Sequence, residues 1–173
     1  MVIDDFIKKF ANYPVLFLGT GFSLRYLKNS YTWDDLLSKV CEDIWGDDEH
    51  YLDIKASYSD GNGNYRYASI ASKIEQQFND LLKEDRNGKF KDINDIFYDT
   101  MRQERISVSR FKLYISKLLS NIDTKEEVSQ ELQEFKQACR NVSSIMTTNY
   151  DTFVENFLEF KPLVGNNILL SNP

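Results

Sequence analysis

Apolar residues along the chain fall into runs of two kinds. Val15-Leu16-Phe17-Leu18 and the stretch from Val142 to Thr148 are short and rich in β-favouring side chains, as strands are. Elsewhere apolar residues recur every three or four positions, the spacing of a helix with one buried face. Val2, Ile3, Phe6, Ile7 and Phe10 make the first such stripe, over residues 2–12, with Pro14 closing it. Leu36, Leu37, Val40, Ile44 and Trp45 make the next, with Thr32 placed to cap its start and Gly46 to end it. Residues 47–63 are polar and rich in turn formers, which predicts a surface loop. From about 65 to 140 four further stripes follow, anchored on Ile74 and Phe78, Ile93 and Phe97, Phe111 and Ile115, and Val128 and Leu132. A last one, Phe153, Phe157 and Leu158, follows the second strand.

Strand, helix, helical block, strand, helix is an α/β order: a partial Rossmann-like parallel sheet with a large helical insertion at about 65–140. The unbroken run at 15–18 predicts a strand buried on both faces. Ile168-Leu169-Leu170 closes the chain where a parallel sheet calls for further strands. Residues 1–173 are therefore expected to be the N-terminal part of a larger domain.

Composition narrows the chemistry. With 27 acidic and 21 basic residues the net charge is −6, which argues against direct binding of nucleic acid. No run approaches the ~18 apolar residues of a membrane span, and the N-terminus lacks a signal-peptide pattern, so a cytoplasmic protein with no membrane partner is expected. The two cysteines, Cys41 and Cys139, do not make a Cys-x-x-Cys pair and supply neither a disulfide framework nor a thiolate metal site. The single histidine, His50, sits beside Asp47, Asp48 and Glu49 and reads as a solvated surface residue. Arg102, Arg105, Arg110 and Lys112 read as a solvated helix face.

Two polar motifs follow the two strands. Gly19-Thr20-Gly21-Phe22-Ser23 comes directly after 15–18, where spaced glycines let backbone approach a pyrophosphate and Ser23 offers a hydroxyl. Its bland counterpart is a plain strand-to-helix turn. Thr147-Thr148-Asn149-Tyr150-Asp151 ends the second strand, and ligands of open parallel sheets bind outside the carboxyl ends of strands. Its bland counterpart is a cap, by Asp151 or Thr152, on the helix through Phe153 and Phe157.

The first motif resembles the Gly-Ala-Gly-x-Ser loop of sirtuins, and the second their Thr-Gln-Asn-x-Asp signature. The Thr-Thr-Asn-Tyr-Asp wording, with Trp33, Leu36 and Leu37 after the glycine loop, is similar to the sirtuin-like domains of bacterial antiphage-defence proteins. Those domains hydrolyse NAD+ to nicotinamide and ADP-ribose. The resemblance implies that Gly19, Thr20, Gly21, Ser23 and Thr148 bind NAD+, that Asn149 orients the nicotinamide ribose and the attacking water, and that Asp151 holds the carboxamide. It implies NAD+ as substrate, no metal, and assembly as a homo-oligomer or within a larger defence complex.

The match also has departures. The Pro-Asp-Phe-Arg stretch and the zinc-binding cysteine pairs of protein-deacylating sirtuins are absent, so NAD-dependent deacylation is the lesser alternative. The family's His-Gly lies on a later strand, and no histidine follows His50, so the chain alone is expected to be inactive. A different class of reading is a non-catalytic nucleotide-binding or assembly module.

Overall fold

The computed structural model describes residues 14–103 and 108–161. The stripe at 2–12 and the run at 168–170 lie outside them. The chain divides into two compact units, one made of residues 1–29 with 122–173 and the other of residues 30–121. Among the described residues no helix is long and apolar enough to cross a membrane.

The first unit holds a two-stranded parallel sheet, β1 (Val15–Leu18) beside β2 (Ser144–Thr147), in register from Val15 opposite Ser144 to Leu18 opposite Thr147. Each strand is followed by a helix: α1 (Thr20–Tyr26) almost directly after β1, and Phe153–Leu158, named α8 below, after a loop of residues 148–152 that follows β2. The coarse α/β class therefore holds, with helix predominating. Between the strands the same unit contains α7 (Ser129–Ala138), flanked by 3-10 turns at Glu126–Val128 and Cys139–Asn141. Tyr26, Leu27, Val128, Leu132 and Phe153 form its core, with Phe22 and Phe157 packed against it. Phe22 is the hub, its ring centroid 4.7 Å from Tyr26, 4.9 Å from Phe135 and 5.6 Å from Phe153. That contact ties the helix after the glycine loop to the helix after the second loop.

One sheet face departs from expectation. Leu18 is buried, but Val15, Phe17 and Met146 are 60%, 63% and 58% exposed. Period-2 alternation sends these three side chains to one side, so only the Leu16, Leu18 and Ile145 face is covered.

The second unit is helical: α2 (Trp33–Trp45), α3 (Glu49–Ser57), α4 (Tyr67–Glu84), α5 (Lys91–Gln103) and α6 (Arg110–Leu119). The stripes foreseen in the sequence meet in one core, where Leu37, Val40, Ile70, Ile74, Phe78, Leu82 and Ile93 are fully buried. The start of α2 is a capping box: Thr32 Oγ1 accepts from Asp35 N–H at 3.1 Å while Asp35 reaches back to the Thr32 N–H. Its end is Gly46 at φ +92°, left-handed backbone that disfavours any side chain.

The expected loop at 47–63 instead contains α3. Tyr51 and Ile54 bury into the core, and Asp34 on α2 accepts hydrogen bonds from Tyr51, Lys55 and Tyr67, joining three helices at one carboxylate. His50 rides on α3 and is half-buried rather than solvated, its ring 3.9 Å from that of Trp45 and its Nε2 3.1 Å from Gln77 Oε1. Arg110 is likewise not a solvated residue, because its guanidinium packs against α5.

Candidate functional site

β1 and β2 are neighbours and parallel, so their carboxyl ends lie side by side. The ladder extends one step past the strands, where Thr148 N–H donates to the Leu18 carbonyl at 3.3 Å. Both motifs start from that step. Asn149 N–H then turns back onto Thr147 Oγ1 at 3.0 Å, which bends the second loop toward the first.

Three predicted residues make a continuous hydrogen-bonded chain. Asn149 Nδ2 donates to Ser23 Oγ at 2.8 Å, and Ser23 Oγ donates its single proton to Asp151 Oδ2 at 2.7 Å. Ser23 is 2% exposed although it follows the glycine loop, so its hydroxyl is an internal link between two loops that are 126 and 128 positions apart in sequence. Asp151 uses its other oxygen as a helix cap, Oδ1 accepting from Phe153 N–H at 3.1 Å. The capping role and the site role therefore coexist in one carboxylate.

The amide of Asn149 is only half satisfied. Its Oδ1 is buried and has no hydrogen-bond partner, although the residue itself is only partly covered. A buried carbonyl left in this state costs about 1–3 kcal/mol, and native structures hold few of them. Its orientation is fixed by the Nδ2 bond, so the acceptor cannot turn away to satisfy itself. Such a group is an acceptor held ready for a donor.

Gly19, Thr20 and Gly21 run from the end of β1 into α1. Neither glycine is demanded by backbone conformation: Gly19 is extended at φ −114°, and Gly21 lies inside α1. A Cβ on Gly21 would meet nothing within 4 Å, and one on Gly19 only Thr148 Oγ1 at 3.9 Å. The glycines thus keep a strip of backbone bare where side chains would have room. Thr20 and Thr148 are exposed beside that strip, and Tyr150 is 69% exposed.

The sequence reading did not identify what steadies the site. Arg25 and Tyr26, at the end of α1, both donate to Glu131 on α7, at 2.6 Å and 2.8 Å. The Arg25 and Tyr26 hydrogen bonds hold the Glu131 carboxyl below its usual range. Lys125 Nζ adds a bond to the Leu24 carbonyl at 2.9 Å. Phe22, between Gly21 and Ser23 in sequence, is the apolar residue through which this loop also packs, against Tyr26, Phe135 and Phe153.

Among the described residues no three His, Cys, Asp or Glu side chains converge as a metal site requires. Burial pushes the Cys41 thiol up to about 12, which leaves it protonated and unreactive at neutral pH. Comparison with protein-family models, with curated proteins and with solved structures finds no match.

Proposed function

We propose that the two loops form the nucleotide end of a Rossmann-like site in a sirtuin-like domain, and that the protein in its natural full length hydrolyses NAD+ to nicotinamide and ADP-ribose as the effector of a bacterial antiphage defence system. The observation that carries the reading is the Asn149–Ser23–Asp151 chain at the carboxyl ends of two adjacent parallel strands, with an unpaired buried acceptor on Asn149. Ligands of open parallel sheets bind at that place.

In this reading the bare backbone of Gly19 to Gly21 lets the pyrophosphate approach, with Thr20 and Thr148 at its rim. Asn149 Oδ1 accepts from a ribose hydroxyl or from the attacking water. The bond between C1′ and the nicotinamide nitrogen breaks, its electron pair neutralising the pyridinium, and the ribose carries oxocarbenium character until water adds and releases its proton. Fixed dipoles that need no reorientation lower that barrier. Asp151 is a positioning residue here, since Oδ2 is engaged by Ser23 and Oδ1 by Phe153.

A second reading is a non-catalytic nucleotide-binding or assembly module. It is favoured by the same double engagement of Asp151, which a purely structural clamp would also show. Nicotinamide release by the full-length protein separates the two. Turnover that Asn149→Ala abolishes supports the hydrolase; nucleotide binding without turnover supports the module.

A further inference from the structure

Arg110 opens α6 and is 8% exposed. A guanidinium keeps its charge under burial, and the start of a helix is the positive end of its dipole, so this cation sits where both burial and the helix oppose it. Among the described residues no carboxylate reaches it. Nε donates to Asn94 Oδ1 at 2.7 Å, Nη2 donates to the Tyr98 phenolic oxygen at 3.2 Å, and the guanidinium carbon lies 3.7 Å from the centre of the Phe97 ring. All three partners are neutral. Asp99, the carboxylate next to Tyr98, pairs with Arg102 at 3.0 Å.

The guanidinium is also held in place. Asn94 is 1% exposed, and its amide nitrogen donates to the carbonyls of Leu82 and Arg86 at 2.9 Å and 3.2 Å, which leaves Oδ1 for Arg110. Nε and one Nη2 hydrogen are engaged, and the rest of the fork is not. No Arg110 nitrogen is among the buried polar atoms without a partner, so the free edge reaches solvent. The Tyr98 oxygen accepts from Arg110, which leaves its own proton to donate beside that edge.

We infer that the free Nη edge of Arg110 and the Tyr98 hydroxyl form a binding site for a phosphoryl group, carried by inorganic phosphate or by a phosphate ester. The missing charge is an anion, the fork offers parallel N–H donors, and the phenol adds an O–H beside them; a phosphoryl group has enough oxygens for all of them. The site lies wholly in the helical unit and does not depend on the function proposed above.

The test titrates the full chain, labelled for observation of the arginine Nε–H resonances, with inorganic phosphate, glycerol 3-phosphate and acetate against sodium chloride of equal ionic strength. Saturable movement of the Arg110 resonance in the millimolar range is expected with phosphate or the ester, and not with acetate or chloride. A response to both phosphate compounds places the recognition in the phosphoryl group; a response to the ester alone adds the attached group. Tyr98→Phe retains the ring and should weaken phosphate by about tenfold or more, the worth of one hydrogen bond to a charged group. A wild type that responds to phosphate no more than to chloride overturns the proposal.

Discussion

Replacing Asn149 by alanine should leave the fold almost unchanged in stability while removing the proposed chemistry. The wild-type side chain makes one bond, Nδ2 to Ser23 Oγ at 2.8 Å, worth about 1 kcal/mol net. It also carries a buried, unpaired Oδ1, whose desolvation opposes folding by about 1–3 kcal/mol. Alanine removes both, and Ser23 can still donate to Asp151. The two terms nearly cancel, so stability should stay within about 1 kcal/mol of wild type, or about 2–4 °C in melting temperature for a chain of this size. Loss of a preorganised polar group from a reaction site typically lowers turnover by about 10²–10³-fold. Both tryptophans, Trp33 and Trp45, lie in the helical unit, so a local probe is needed for the unit that holds Asn149. Hydrogen exchange over residues 142–158 in urea does, and nicotinamide release measures the activity. A loss above about 2 kcal/mol would show that Oδ1 has a partner in the folded protein. Undiminished turnover would remove Asn149 from the mechanism.

Gly21→Ala should stabilise the first unit by about 0.5–1 kcal/mol, since it places a better helix former in α1 where a Cβ meets nothing, and yet weaken NAD+ binding by obstructing the bare backbone; unchanged NAD+ affinity in that variant would refute the approach of pyrophosphate to this strip. Asp34 should make the helical unit acid-sensitive. Burial raises its pKa, but hydrogen bonds from Lys55, Tyr51 and Tyr67 outweigh burial and hold it below the usual carboxylate value. The folded form therefore binds its proton less readily than the unfolded form, and the stabilisation is present above the unfolded pKa and lost as pH falls through the folded one. Urea midpoints read by tryptophan fluorescence should fall below about pH 4 and fall less in Asp34→Asn; equal slopes would dismiss the network.

Some of this architecture is legible in the sequence for local reasons. A four-residue apolar run ending in glycine, the Thr32 and Asp35 pair, and Gly46 each state their structure within one turn of chain. α3 does not, because Tyr51 and Ile54 are its only buried residues and Leu52 between them is 51% exposed. A stripe that short, surrounded by Asp, Glu and Ser, looks like a turn-rich loop until the core it joins is known. Arg110 misleads for a related reason. Its charge suggests solvent, while its placement is decided by Asn94 and Phe97, thirteen or more positions earlier. The candidate site divides the same way. Its residue types are legible, since each loop follows a strand, but the pairing of Ser23 with Asp151 rests on side-chain hydrogen bonds that no periodicity encodes.

Asp151 is where the structural and functional readings of the site can be separated, because its two oxygens serve different partners. Oδ1 satisfies the Phe153 N–H at the start of α8, and Oδ2 accepts the Ser23 proton. Asp151→Ala loses both, a cap of about 1 kcal/mol and a bond to a buried hydroxyl of about 1–2 kcal/mol, so it should destabilise the first unit by about 2–3 kcal/mol. Asp151→Asn keeps an oxygen that can cap Phe153, so its stability should fall less than that of Asp151→Ala, by about 1–2 kcal/mol for the Ser23 proton left without an acceptor. The new amide nitrogen, however, can only donate toward Ser23. Ser23 Oγ would then face two donors, one from position 151 and one from Asn149, and its own proton would lose its acceptor. Ser23 Oγ has two lone pairs and can still accept from Asn149, but with its own proton unpaired the hydroxyl no longer holds one orientation for that amide, so turnover should drop in Asp151→Asn nearly as far as in Asp151→Ala, with the KM for NAD+ little changed. Equal destabilisation by both variants would mean that the cap depends on the full carboxylate charge. An Asp151→Asn protein that retains turnover would show that the chain from Asp151 through Ser23 does not hold Asn149, and the residue would then be a cap alone.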